Sequence, residues 1–335
     1  MKTKVVYVLT STEKDIYLEQ TLVSIYSLRK YNPQVHVTLL TDTLTEKTLR
    51  YGNRIQILEF VDELIVINFP ESLSGKIRSR YLKTNIRNYM DGDYLYLDSD
   101  TIVYADLSSI DDCVYNIAAV LDCHGALSEN PYLGMIREHA KAVNNNLIKQ
   151  DNYFNSGVMY VKDNNITRDF YKKWNATYNL SKDKVSCMDQ PSFNKVNSDF
   201  NIVKEIDGIW NCQLKHGFRF FRNVKIFHIL TTNKHKDGDY LHLFQLDDFY
   251  MKLKNKDMNL SYLDKYVENL DVGWNVSVSE VIVGSDLKNM SKKEMVLTSE
   301  ILESNSYIIK SIFKILILVY RCKRKLLRLI FGDVK

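Results

Sequence analysis

Proline and glycine are scarce, at 4 and 12 among 335 residues. That scarcity argues against long disordered linkers. No Gly-x-Gly-x-x-Gly and no Gly-Lys-Ser/Thr phosphate loop follows the first apolar segment, which disfavours a dinucleotide or P-loop site. Any phosphate must then be held by metal and side chains. The five cysteines, Cys113, Cys123, Cys187, Cys212 and Cys322, are odd in number and make no Cys-x-x-Cys pair. They fit reduced thiols in a cytosolic protein. The apolar segment behind Met1 is too short for a signal-peptide core or a membrane span.

What is present is ordinary for a globular chain: 45% hydrophobic and 26% charged residues, enough for a sizeable core. The length suits one large domain or two smaller ones. The net charge of +4 is unevenly spread. Residues 301–335 carry eight Lys/Arg and two Asp/Glu, so a basic tail follows a mildly acidic body. A general nucleic-acid binder is therefore disfavoured. The 22 tyrosines suit either a buried core or a surface that stacks on sugars and bases.

The chain opens with a buried strand at Val5–Leu9, a helix over 15–31 and a strand over 35–40. This β-α-β start predicts parallel strands with a ligand crevice at their ends. Residues 55–67 read as one or two short strands, and 75–89 as a helix. On that helix Arg80 and Lys83 share a face that Arg87 continues. The strand Asp93–Thr101 ends in Asp98-Ser99-Asp100. In an extended strand i and i+2 point the same way, so both carboxylates would face the crevice. Two like charges so placed call for a cation, and a hard divalent ion fits oxygen ligands.

Ile117–Leu121 reads as a further strand, ending at Asp122. In Tyr153–Val161, Gly157 opens a strand where a ligand could approach the backbone, and Asn155 suits a sugar hydroxyl. A helix over 168–178 precedes Asp189-Gln190-Pro191. Pro191 fits a first helical turn, with Asp189 and Gln190 at its mouth, and Asp189 also reads as an N-cap. Ile226–Leu230 is a strand carrying His228, with Lys234 six residues on. A neutral imidazole there could complete the Asp98 and Asp100 site, and Lys234 could offset phosphate charge. Residues 240–290 have no clear pattern. From 291 to 331 the chain reads as helical. Lys310, Lys314, Arg321, Arg324, Lys325 and Arg328 fall within roughly a 100° arc, opposite an aliphatic stripe. Such a helix lies on an anionic membrane surface or packs on protein.

These stretches, in the order Leu97-Asp98-Ser99-Asp100, Phe154-Asn155-Ser156-Gly157-Val158, Asp189-Gln190 and His228 with Lys234, resemble the family-8 retaining glycosyltransferases. The resemblance covers roughly residues 3–235 and the tail. It implies an α/β, GT-A-like nucleotide-sugar-binding fold with a mostly parallel central sheet, plus a C-terminal helical amphipathic tail. It implies Mn²⁺ or Mg²⁺ on Asp98, Asp100 and His228, and a diphosphate lysine at Lys234. Either Arg80 or Lys83 would contact the donor. Thr10, Asp122 and Asn155 would lie around the donor, and Asp189 and Gln190 would be the catalytic pair. The chain departs from the family pattern at Thr231, where a glycine is usual, and at Thr10-Ser11-Thr12-Glu13, where an acidic-Asn turn is usual.

The resemblance implies transfer of galactose or glucose from a UDP-sugar to a cell-surface glycan or lipid-linked glycan. The catalytic domain would span 1–270 and the membrane-associating extension 271–335. The protein would be cytoplasmic and peripheral on the inner face of the cell membrane, with no nucleic acid as partner. Two other classes use similar residues: a nucleotidyltransferase and a non-catalytic sugar-nucleotide sensor. The first normally needs a glycine-rich basic loop, and Val5–Thr12 has no glycine.

Overall fold

The computed structural model describes residues 1–145, 152–213, 216–229, 246–255 and 259–261, with Asp264 and positions 311, 312, 315, 318 and 319. Two compact units divide the chain: Met1–Asn233 with Gln245–Val281, and Lys234–Phe244 with Ile282–Lys335. The fold below belongs to the first. The expected boundary near residue 270 lies outside the described residues, as do Lys234 and most of the basic tail.

Ten strands are described: β1 (Lys4–Leu9), β2 (Val37–Asp42), β3 (Glu63–Ile67), β4 (Tyr94–Leu97), β5 (Thr101–Val103), β6 (Ile117–Leu121), β7 (Phe154–Val161), β8 (Val203–Glu205), β9 (Cys212–Gln213) and β10 (Ile226–His228). The helices are α1 (Tyr17–Tyr31), α2 (Thr43–Leu49), α3 (Gly75–Thr84), α4 (Ile86–Tyr89), α5 (Leu133–Ala142), α6 (Asn165–Ser181), α7 (Gln190–Phe200) and α8 (Leu246–Lys254). The main sheet runs β3-β2-β1-β4-β7-β6-β8, and a small sheet runs β5-β10-β9.

The main sheet is mostly parallel, as expected, with β7 antiparallel to both of its neighbours. Strands such as β1 and β4 are near-continuous apolar runs because helices and loops cover both faces of a parallel sheet. The reversal of β7 decides where the site forms. It brings the start of β7 to the edge where β4 and β6 finish, pairing Leu97 with Val158 and Leu121 with Phe154. Residues 154–157 and the ends of two parallel strands therefore share one rim.

The helices cover the sheet with the faces their periodicity predicts. Leu18, Leu22, Ile25 and Leu28 of α1 are all buried. Ser24 and Ser27 on the same helix allow close approach to β5, where they bond Thr101 Oγ1 (2.8 Å) and the Val103 N–H (2.9 Å). Trp174 of α6 is fully buried among Phe170, Tyr171 and Phe193. Its indole N–H reaches the Asp189 carbonyl (3.2 Å), which steadies the start of α7.

Several expectations are corrected. Residues 52–60 form 3₁₀ turns and only Glu63–Ile67 is a strand. The helix over 75–89 is two helices, parted at Asn85. The strand expected over 93–101 stops at Leu97, and Thr101 opens another strand. Asp98 and Asp100 therefore lie in a turn, and the pleat of a strand does not align them. Arg87 is fully buried and pairs with Asp163 (3.6 Å) and the Gly92 carbonyl (2.8 Å), so it does not continue the Arg80–Lys83 face into the site. No helix among the described residues is long and apolar enough to cross a membrane.

Candidate active site

The Asp98-Ser99-Asp100 turn is held from several sides. The Asp98 N–H donates to the Gly157 carbonyl of β7 (2.8 Å), and the Ile229 N–H beyond β10 donates to the Asp100 carbonyl (2.9 Å). Thr21 of α1 bonds Ser99 Oγ (2.9 Å), and Thr101 Oγ1 bonds the Asp98 carbonyl (2.8 Å). The carboxylates then converge on His228, because β10 pairs with β5 and sets His228 opposite Thr101. One ligand atom each from Asp98, Asp100 and His228 lies within 4.8 Å of the other two.

Gly157 makes room for that convergence. A Cβ there would meet His228 Cε1 at 2.1 Å, His228 Nδ1 at 2.7 Å and Asp98 Oδ2 at 2.9 Å. Gly157 is the fourth residue of β7, and the group that presses on its backbone is the imidazole. The expected reason, approach of a ligand, is replaced by this one.

The His228 tautomer follows from fixed donors. The Gly157 N–H donates to Asn155 Oδ1 (2.9 Å), so that atom must accept. Asn211 meets the same oxygen at 3.0 Å and must present its NH₂. Its Oδ1 is thereby turned to His228 Nδ1 (3.0 Å), which carries the proton. Nε2 faces Asp100 Oδ1 (3.3 Å) and Asp98 Oδ2 (3.9 Å). Burial opposes a charge on this ring, but Asp100 and Asp98 outweigh it and raise its pKa above the usual value. The place between the three side chains thus favours a cation. Two carboxylate oxygens and an imidazole nitrogen, with the other ring nitrogen anchored, are a donor set that fits a divalent ion such as Mn²⁺ or Mg²⁺.

Asp189 is the third acidic group. It sits at the N-cap position of α7, yet its side chain makes no capping bond. Instead it meets Arg80 Nε (3.0 Å), Lys83 Nζ (3.3 Å) and Ser156 Oγ (2.9 Å). Burial pushes its carboxyl up, but Lys83 and Arg80 prevail and bring it down to about 2. Lys83 also reaches Asp98 Oδ1 (3.1 Å) and lies over the Tyr96 ring, whose hydroxyl bonds Asp98. The two candidate donor contacts differ in access: the Lys83 side chain is 2% exposed and that of Arg80 is 32% exposed.

On the neighbouring strand end, Asp122 Oδ1 accepts from Asn155 Nδ2 (3.0 Å) and Oδ2 accepts from Asn130 Nδ2 (3.1 Å). Gln190 Oε1 accepts from the Ser156 N–H (3.4 Å). Thr10, at the end of β1, spends its hydroxyl on the Gly75 carbonyl (3.0 Å). Asp98, Asp100, His228, Lys83, Arg80, Asp189, Gln190, Asn155 and Asp122 are thus joined by direct contacts or shared partners, and Thr10 stands apart from them at the start of α3. Sequence reasoning missed Asn211 and Ser156. Asn211 gives no signal of its own, since a buried asparagine before a two-residue strand has no periodicity to mark it.

A family model described as Glycosyl transferase family 8 matches residues 8–235. Among solved structures, the galactosyltransferase LgtC in complex with donor and acceptor sugar analogs is 17% identical, with a TM-score of 0.51, over 76% of this chain and 96% of its own. The apo structure of the bifunctional glycosyltransferase WbbM is 16% identical, with a TM-score of 0.50, over 86% of this chain and 51% of its own. Mouse xyloside xylosyltransferase 1 is 13% identical, with a TM-score of 0.49, over 70% of this chain and 100% of its own. No curated protein matches by sequence. The mixed α/β fold with its mostly parallel sheet is that of GT-A glycosyltransferases.

Gly157→Ala should drive His228 away from the aspartates. Mn²⁺ affinity, read by electron paramagnetic resonance of the free ion, should fall roughly 10–100-fold. Unchanged affinity would mean that His228 does not bind the ion. Asp189 contributes stability that is complete above its ordinary pKa of 3.8 and is lost as pH falls through about 2. Urea unfolding of the wild type should therefore lose on the order of 2 kcal/mol more than Asp189→Asn across that window.

Proposed function

Since the chain belongs to glycosyl transferase family 8, we propose that it moves a hexose, galactose or glucose, from a UDP-sugar to a cell-surface glycan of the capsule or lipopolysaccharide type, with retention at the anomeric carbon. One observation carries the reading: Asp98, Asp100 and His228 converge at the rim of a mostly parallel sheet, with Arg80 and Lys83 close by. That rim is where open α/β sheets bind nucleotides.

A bound Mn²⁺ or Mg²⁺ would supply positive charge to the diphosphate as the glycosidic phosphate bond breaks. Arg80, partly exposed beside Asp189, would offer its guanidinium to the phosphates, and Lys234, which lies outside the described residues, is proposed as a further cation for them. Lys83 pairs with both Asp98 and Asp189 and holds the two carboxylates in place. Asp122, Asn155 and Asp189 orient sugar hydroxyls, while Thr10 lies by the nucleoside. Gln190 is a neutral amide and a poor nucleophile, so it positions the reacting centre. The acceptor oxygen bonds the anomeric carbon on the face the phosphate leaves. The bonding pair of the broken C–O bond goes to UDP, and a phosphate oxygen takes the acceptor proton. The transition state resembles an oxocarbenium ion.

The tail is proposed to rest on the anionic inner face of the cell membrane. The described apolar residues Ile312, Ile315, Leu318 and Val319 are all more than half exposed, which supports that reading.

A panel of UDP-sugars with Mn²⁺ should give UDP release from one hexose donor, and the double variant Asp98→Asn, Asp100→Asn should release none. Full activity in that variant would sink the assignment. A chain ending at Ser299 should release UDP as before but fail to pellet with vesicles containing phosphatidylglycerol. Equal pelleting of both forms would remove the membrane claim.

A further inference from the structure

Asp122 divides its surroundings. On one side Asn155 and Asn211 connect it to His228. On the other, Asn130 holds it through both the backbone carbonyl and Oδ2, each at 3.1 Å. Asn130 Oδ1 in turn accepts the Tyr132 N–H (2.9 Å), so the Tyr132 backbone is tied through Asn130 to the same carboxylate.

A second anchor reaches the same place from 90 residues further along. Cys123 and His124, which follow Asp122, both adopt left-handed backbone (φ 57° and 55°), where side-chain-bearing residues are uncommon. Gln213 holds that turn. Its Oε1 accepts the Cys123 N–H (2.7 Å), its Nε2 donates to the Leu121 carbonyl (2.9 Å), and its backbone N–H donates to His124 Nε2 (3.0 Å). The Gln213 carbonyl accepts the His216 N–H (2.9 Å). The His216 ring then stands edge-on to Tyr132, with centroids 5.9 Å apart and planes at 89°. Tyr132 is 44% exposed although both loops are tied down.

An exposed tyrosine ring, edge-on to a histidine and beside a carboxylate, matches the chemistry of a pyranose: apolar C–H faces against a ring, hydroxyls to polar tips. Burial first, then Cys123 and Asp122, raise the Tyr132 pKa, so its hydroxyl remains a donor. We infer that Tyr132 and His216 form a platform for a pyranose ring of the acceptor, on the side of Asp122 away from Asp98, Asp100 and His228. This rests on the transferase reading above.

The test uses the full chain with UDP and Mg²⁺, and methyl β-galactopyranoside and methyl β-glucopyranoside as probes. Saturation-transfer NMR should show one or both glycosides receiving magnetisation from the wild type. That signal should drop roughly fivefold in Tyr132→Ala and in His216→Ala, and persist in Tyr132→Phe, which keeps the ring. The UDP signal should be equal in all four proteins, which also reports that the variants fold. A wild type that binds UDP but neither glycoside, or alanine variants that keep the glycoside signal, would overturn the platform and leave the donor reading standing. A wild type that gives no UDP signal would overturn the donor reading, and the platform with it.

Discussion

Three carboxylates, from Asp98, Asp100 and Asp189, are gathered in a largely enclosed space, and repulsion among them is the constraint the rest of the site answers. Lys83 stands between Asp98 and Asp189, Arg80 braces Asp189 from the partly open side, and His228 faces both Asp98 and Asp100. These partners explain why a lysine and an aspartate are so deeply buried, since unpaired charge there would cost several kcal/mol.

A line of hydrogen bonds runs alongside. Asn130, Asp122, Asn155, Asn211 and His228 form one hydrogen-bonded line, and its proton directions follow from the Gly157 N–H. Each asparagine both donates and accepts, so turning one over would leave a donor facing a donor. The line therefore resists rearrangement as a unit. It joins the end of β6, the start of β7 and the end of β10, whose rigidity holds the side chains to their geometry.

Much of this was legible in the residues. Ile117–Leu121 is a strand with the bounds its apolar run indicates, and α1 buries the four residues its spacing marks. Asp98, Asp100 and His228 were expected together and are together. Their reason for meeting was misread, because the alternation rule was applied to a strand that ends one residue before Asp98. Arg87 was misplaced for a related cause: the break at Asn85 turns it from the Arg80 and Lys83 face, and Asp163 draws it to the far end of the sheet. Helix spacing predicts a shared face only while the helix continues.

Local chemistry written in the sequence determined the strands, the helices, the carboxylate pair and the need for a cation between them. Each of these depends on residues within a few positions of one another. The tertiary structure alone decided that β7 runs against its neighbours, that Gly157 yields space to His228, and that Asn211 sets the imidazole proton. Those facts join segments dozens of residues apart, and periodicity cannot carry a contact between side chains that only the folded sheet brings within 3 Å.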